Sequence, residues 1–369
     1  MEHHRIHQQH HRRGSAGARG HPSDPRLPGR HAAPAADLWR APRVQFLMRG
    51  WAVAPVLAVL LTAVPVGAQP APAADGFITL GTMGGPVPSP DRSQPANALV
   101  HQGKVYLVDC GDGTVQQLAR AGILLPRVRA VFLSHLHADH TGGLSAVLAL
   151  RNQTNQREPI TVYGPPGTRE LVAGMVASMQ PAARVGYGIP GQPWAPPADT
   201  VRVIELADGE RLTVDGFTVT AAQNSHYDFA PGSIEDRNYK SLSFRFDLGA
   251  RSIVFTGDTG PSAAVEKLAK GADLLVSEMI DMGGTMANVA RNSPDMPPQA
   301  KQQLEQHLST HHLTPDAVGQ LASRAGVKAL IITHFAAGTP DPERTKGYVA
   351  QIRTRFAGPV TLANDLDRF

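Results

Sequence analysis

The sequence predicts an α/β fold, two sheets flanked by helices in one domain. From Phe77 onward, short apolar runs of strand length alternate with helix-patterned stretches, the arrangement that packs helices on sheet faces. Several helical stretches open on capping chemistry, as in Thr314-Pro315-Asp316, where proline takes the first helical position. Four apolar runs are closed by segments carrying His or Asp, so their ends are expected to converge on one edge of the sheets.

In order, runs near 77–81, 97–101, 105–110, 129–134, 159–163, 201–205, 212–222, 241–248, 252–256, 273–277 and 329–333 read as strands, by their length and Val, Ile, Leu and Phe content. Helical patterns fit 114–121, 143–150, 167–179, 261–270, 298–309, 314–325 and 342–356. Two segments fit neither: 180–200, rich in Pro, and 281–298, with Gly283, Gly284 and several Met. Both are expected as long loops, either site walls or ordinary surface excursions. No internal repeat is visible.

Residues 1–47 are rich in His, Arg, Pro and Gly and lack hydrophobic periodicity, a composition that predicts disorder. His3, His4, His7, His10 and His11 form a His-rich tract of the metal-binding kind. Met48-Arg49-Gly50, the apolar run 51–64 and Pro65-Val66-Gly67-Ala68 match a secretory signal over 48–68. The run is broken by Pro55 and Pro65 and falls short of the about 20 apolar residues a membrane span needs. An uncleaved anchor is the other reading. The expectations are translation from Met48, a linker over 69–76, a hydrolase domain over 77–369, and a periplasmic or secreted location without a stable membrane span.

Residues 1–50 hold nine of the 35 basic and three of the 31 acidic residues, leaving 26 against 28. The basic balance therefore belongs to the leader, and the near-neutral domain lacks the electrostatic footprint of a long nucleic-acid partner. The single cysteine, Cys110, excludes an internal disulfide framework. Its apolar run, Val105-Tyr106-Leu107-Val108-Asp109-Cys110, assigns it to packing rather than nucleophilic chemistry.

The densest chemistry is Ser134-His135-Leu136-His137-Ala138-Asp139-His140. Imidazole and carboxylate are the donors that borderline cations such as Zn²⁺ prefer. Residues two apart on an extended segment point the same way, so His135 and His137 can grip one ion. Asp139 and His140, past the turn, are then left for a second. Two cations held close need a shared carboxylate. Asp258 in Thr256-Gly257-Asp258-Thr259-Gly260 is the best candidate, because its glycines allow tight backbone approach. His226 would complete the first ion's shell and His334 the second's, while 307–314 adds His307, His311 and His312. A lone histidine is usually structural; here the dense motif requires further ligands.

The order His135-x-His137-x-Asp139-His140, His226, Asp258, His334 resembles the metallo-β-lactamase superfamily over about residues 77–369. That resemblance implies an αβ/βα sandwich of two mixed sheets flanked by helices, with a dinuclear site holding two Zn²⁺, or Mn²⁺ or Fe. The chain is most similar to the ribonuclease Z and arylsulfatase branch. The motifs are Leu80-Gly81-Thr82-Met83-Gly84-Gly85-Pro86 with Arg92-Ser93, Asp109 to Thr114, Tyr163 to Gly167, and His312-Leu313-Thr314 ahead of Thr333-His334-Phe335. By the same resemblance His312 protonates the leaving group, with His307 and His311 as neighbouring competitors. Asp139 both binds metal and orients the attacking water. Asp109 either steers a metal ligand or is a turn residue beside Gly111.

A pair of ions lowers the pKa of bound water towards about 7 and clamps attacking and departing oxygens. Hydrolysis at phosphorus, sulfur or carbonyl carbon would be served. Ribonuclease Z enzymes carry a basic, Gly/Pro-rich arm between the third-motif histidine and the bridging aspartate, but here only 31 residues separate His226 from Asp258. With the signal and the neutral charge, this favours hydrolysis of a small sulfate or phosphate ester outside the cytoplasm and argues against a nucleic-acid partner. Arg92 offers the ester a bidentate anion contact or else a structural ion pair. A homodimer is allowed. The alternatives are tRNA 3′ processing, lactonase or β-lactamase activity, and a metal-loaded binding module without turnover.

Overall fold

A computed structural model describes residues 75–369 apart from 192–193, 228 and 337–339. The expected extension over 1–47, the signal over 48–68 and linker residues 69–74 lie outside the described residues. Among the described residues no helix is long and apolar enough to cross a membrane.

The first sheet runs β1 (Gly76–Gly81), β2 (Ala96–His101), β3 (Lys104–Cys110), β4 (Val128–Phe132), β5 (Ile160–Gly164) and β6 (Val201–Glu205), adjacent in that order. β1 to β3 form an antiparallel meander, and β3 to β6 are parallel. Helices α1 (Thr114–Arg120), α2 (Ala138–Thr141), α3 (Leu144–Gln153) and α4 (Thr168–Val185) lie along the connections between the parallel strands.

The second sheet comprises β7 (Arg211–Val214), β8 (Phe217–Gln223), β9 (Leu242–Asp247), β10 (Ser252–Phe255), β11 (Leu274–Met279), β12 (Leu330–Phe335) and β13 (Val360–Leu362). It is antiparallel from β7 to β10 and parallel from β10 to β13. The intervening helices are α5 (Ile234–Asn238), α6 (Ala263–Leu268), α7 (Met282–Asn292), α8 (Pro298–His311), α9 (Pro315–Ala325) and α10 (Pro342–Arg353).

Central strands such as β3 and β11 are buried on both faces and mostly apolar, as strands covered on both sides are. Their inner faces meet in one apolar layer, where Phe77, Tyr106, Phe132, Phe244, Phe246 and Phe255 interdigitate. The outer face of the first sheet packs against α1, α3 and α4 through Leu118, Val147 and Val172, and that of the second against α6, α9 and α10 through Val265, Val318 and Ile352. The result is a helix–sheet–sheet–helix sandwich, the fold class expected from the sequence.

Several elements differ from expectation. The run 212–222, read as one strand, is a hairpin that turns at Asp215 (φ 47°) and Gly216 (φ 95°). Asp-Gly favours the positive φ a tight hairpin needs, and the Tyr106 hydroxyl donates to Asp215 at 2.7 Å. α4 continues through Pro181, the breaker at which the sequence reading stopped it, because Ala182, Ala183 and Arg184 are strong helix formers. Segment 281–298, expected as a loop on account of Gly283 and Gly284, contains α7, whose first turn closes with Thr285 N–H donating to Asp281 O at 2.8 Å. β13 escaped notice because three residues are too few for a periodic signal.

Phe132 is fully buried at the centre of the inner layer, with ring centroids 4.8 Å from Tyr163, 5.8 Å from Phe244 and 5.4 Å from Phe246. Phe132→Ala is expected to cost about 3–5 kcal/mol of stability, read from urea unfolding midpoints. A loss under about 1 kcal/mol, the scale of a volume-conserving swap, would show that this layer is not the close-packed core described.

Candidate metal centre

The site forms where strands of both sheets end. Past β4 the chain runs extended through His135 and His137, and α2 then begins at Ala138, which turns Asp139 and His140 back toward the same point. His226 follows β8, Asp258 follows β10, and His334 is the penultimate residue of β12. Two glycines beside Asp258 allow the convergence. A Cβ on Gly257 (φ 58°) would lie 2.8 Å from Ser134 Cβ, and one on Gly260 would lie 2.0 Å from Thr310 O.

All seven side chains expected from the sequence as metal ligands meet here. His135 Nε2 lies 3.0 Å from His137 Nδ1, which lies 3.2 Å from His226 Nε2. In the second group His140 Nε2 and His334 Nε2 are 3.2 Å apart, with Asp139 Oδ2 at 3.5 and 3.7 Å from them. Asp258 reaches both groups: Oδ2 is 4.0 Å from His135 and His226 and 3.2 Å from His334, and Oδ1 is 3.4 Å from His140. His137 stands at the exposed rim, and the other six are buried.

These residues fit divalent cations. Their donor atoms fall into the overlapping sets His135/His137/His226, His135/His140/Asp258 and Asp139/His140/His334, each within 4.8 Å, and a fourth set joins His226 and Asp258 with His312. Burial holds His135 well below the ordinary imidazole range and His226 down to about 3, so both are neutral lone-pair donors, as a metal ligand must be. Burial alone would raise the Asp139 carboxyl, but His140 and His334 bring it down to about 2. The same opposition, won by His334 and His140, keeps Asp258 ionised. Asp258 Oδ1 is buried without a hydrogen-bond partner, an arrangement a cation would relieve.

A surrounding layer orients the donors. Asp109 Oδ2 accepts from His140 Nδ1 at 2.8 Å, and its two oxygens accept Ser134 N–H at 2.7 Å and Ser134 Oγ at 2.8 Å. It therefore points His140 Nε2 inward, the first of the two roles considered for it. Asp109 and His334 adopt φ of 59° and 47°, backbone strain of the kind concentrated at functional sites. His312 Nδ1 pairs with the fully buried Glu278 at 2.7 Å, leaving Nε2 as its other ring nitrogen. Burial would lower His312, but the Glu278 carboxylate overrides it and pushes it up to about 9. His311 instead directs Nδ1 to Ser225 O at 2.5 Å.

Glu278 was not singled out in the sequence, although a carboxylate inside an otherwise apolar strand, Leu274 to Met279, is the signal that marks it. Arg92 is corrected as a substrate contact: buried, it donates to Thr82 Oγ1 at 2.6 Å, Ala363 O at 2.8 Å and Asn364 Oδ1 at 3.1 Å, tying the 82–94 segment to the C-terminal one. Cys110 is buried with its thiol pushed up to about 12 by burial, consistent with packing.

The cluster opens into a cavity of about 380 Å³ lined by His137, Asp139, His226, Asp258, His312 and His334 on one side. Met83, Pro86, Val87, Val289, Leu304 and Leu308 form an apolar wall opposite. α7 and α8 contribute much of that wall, so the segment expected as a loop does border the site.

A family model described as the β-lactamase superfamily domain matches residues 104–335. A ribonuclease Z of Mycobacterium avium is 34% identical over 300 residues, covering 79% of this chain and 96% of that protein. Among solved structures, the metallo-β-lactamase fold protein YhfI from Bacillus subtilis aligns with a TM-score of 0.55 at 20% identity, over 79% of this chain and 98% of its own. The short form of human tRNase Z aligns at 0.52 and 24%, again over 79% and 98%. The matched span contains every donor of the cluster, and the chain belongs to the metallo-β-lactamase superfamily, as one of its metal-dependent hydrolases.

Proposed function

We propose that this protein is a dinuclear-zinc phosphodiesterase of the ribonuclease Z kind, acting on a phosphodiester of RNA. The observation that carries this reading is the likeness to ribonuclease Z over 96% of that enzyme's length. His135, His137 and His226 would hold one ion, Asp139, His140 and His334 the other, and Asp258 would bridge. Ions bound there supply Lewis acidity at phosphorus and a water acidic enough to ionise near neutral pH.

The chain's own residues supply the rest. Ionised Asp139 can only accept hydrogen bonds, so it orients the nucleophilic water. His312, held protonated by Glu278, presents Nε2–H to the cavity and donates that proton to the departing alkoxide. A ribose oxygen leaves poorly without one, whereas an aryloxide scarcely needs it. This dyad therefore supports an ester with an alkoxide leaving group, such as an RNA phosphodiester, where the sequence favoured a small sulfate or phosphate ester.

A second reading, hydrolysis of a small sulfate or phosphate ester, is favoured by one specific feature. Among the described residues no Lys or Arg lines the cavity over the cluster, whereas phosphate backbones are gripped by basic side chains.

Three outcomes test these readings. The zinc-loaded protein is expected to cleave a 3′-extended precursor tRNA and to hydrolyse bis(p-nitrophenyl) phosphate faster than p-nitrophenyl sulfate, a lactone or a β-lactam; sulfate turnover without RNA cleavage reverses the order of the two readings. His312→Ala should lower kcat for RNA by about 10²–10⁴-fold with zinc content by elemental analysis unchanged, and His311→Ala should lower it far less. Glu278→Gln removes the charge that keeps His312 protonated, so the alkaline limb of the kcat profile should move to lower pH. An unmoved limb would remove Glu278 from the proton path.

A further inference from the structure

A second opening adjoins the metal cluster. It measures about 390 Å³ and is lined by Tyr227, Phe229, Tyr239, His137 and His307. His137 and His307 also line the cavity over the cluster, so the two openings are neighbours that share these side chains. Large hydrophobic side chains stand open to solvent there, Phe229 at 37% and Tyr239 at 44%. Ring centroids lie 5.4 Å apart for His137 and Tyr227, 5.3 Å for Tyr227 and Phe229, and 6.4 Å for Phe229 and Tyr239. The last two pairs are tilted by 54° and 48°, so they do not stack face to face and ring faces are left for another ring.

The shelf is held in place. α5 is capped by Ser233, whose Oγ accepts Asp236 N–H at 3.0 Å, Lys240 pairs with Asp236 at 2.6 Å, and the Tyr239 N–H closes on Glu235 O at 2.8 Å. Among the described residues neither opening is lined by Lys or Arg, and the ring faces are the groups the second opening offers to a ligand. Base–aromatic stacking needs no charged partner and tolerates any base.

We propose that Tyr227, Phe229 and Tyr239 form a stacking subsite for the nucleobase next to the scissile phosphate. This deepens the phosphodiesterase reading and rests on it for the identity of the ring. It places base recognition within the 31 residues between His226 and Asp258.

Calorimetric titration of the zinc-loaded protein with AMP and with ribose 5-phosphate, which lacks the base, tests the subsite without turnover. AMP is expected to bind tighter on the order of tenfold. Phe229→Ala with Tyr239→Ala should bring the two ligands to equal affinity, and Tyr239→Phe should keep the preference. Equal binding by the unmodified protein, or a preference that survives the double substitution, overturns the proposal. Because neither ligand is hydrolysed as a diester, this result is independent of whether bis(p-nitrophenyl) phosphate is turned over; failure of that turnover alone would count against the phosphodiesterase reading and not the shelf.

Discussion

Nitrogen against nitrogen at about 3 Å is the contact on which this structure turns. His135 with His137, His137 with His226, and His140 with His334 meet at 3.0, 3.2 and 3.2 Å, through atoms that all serve as donors to a cation. Two buried carboxylates, Asp139 and Asp258, face the same point. Buried ionised groups cost several kcal/mol each unless compensated, and Asp258 Oδ1 is buried without a hydrogen-bond partner. A cation resolves both difficulties at once. Anything that binds the folded state alone stabilises it by mass action, about 2.7 kcal/mol at a hundredfold excess over Kd. Metal binding and stability are thus coupled through the same residues.

The rest of the fold keeps this arrangement from relaxing. Each donor follows or ends a strand whose neighbours are hydrogen-bonded on both sides, so lateral movement would break a ladder. Gly257 and Gly260 let backbone approach where a Cβ would collide with Ser134 or Thr310. Asp109, strained at φ 59°, ties the end of β3 to both Ser134 and His140. The strain at Asp109 and at His334 is held by the two sheets and expressed where the chemistry occurs.

Much of this was legible in the chain. The dense His135–His140 motif and the strand-closing His226, Asp258 and His334 identified the cluster, because ligand type and spacing are local properties. Strand length and apolar content found the sheets for the same reason. What escaped was set by tertiary context. Glu278 acquires its role only because His312, 34 positions later, is placed at 2.7 Å from it. α7 forms despite Gly283 and Gly284 because it closes the site against α8, an environment no local propensity describes. Of the two roles open to Arg92, anion contact or structural tie, the structure gives the second, because its partners Ala363 and Asn364 lie some 270 positions away.

Catalysis and substrate scope are carried by different parts of the molecule. The donors and the His312–Glu278 pair sit at strand ends, in α2 and at the close of α8, and on the proposed reading would serve any ester whose leaving group needs a proton. On the proposed reading, scope would reside in what surrounds them: the apolar residues of α7 and α8 and the aromatic shelf around α5. Among the described residues neither contributes a basic side chain to the openings. A substrate held by one scissile phosphate and one stacked ring satisfies both surfaces. The end of a nucleic-acid strand, with a single base turned onto the shelf, meets that description better than a duplex gripped along its backbone.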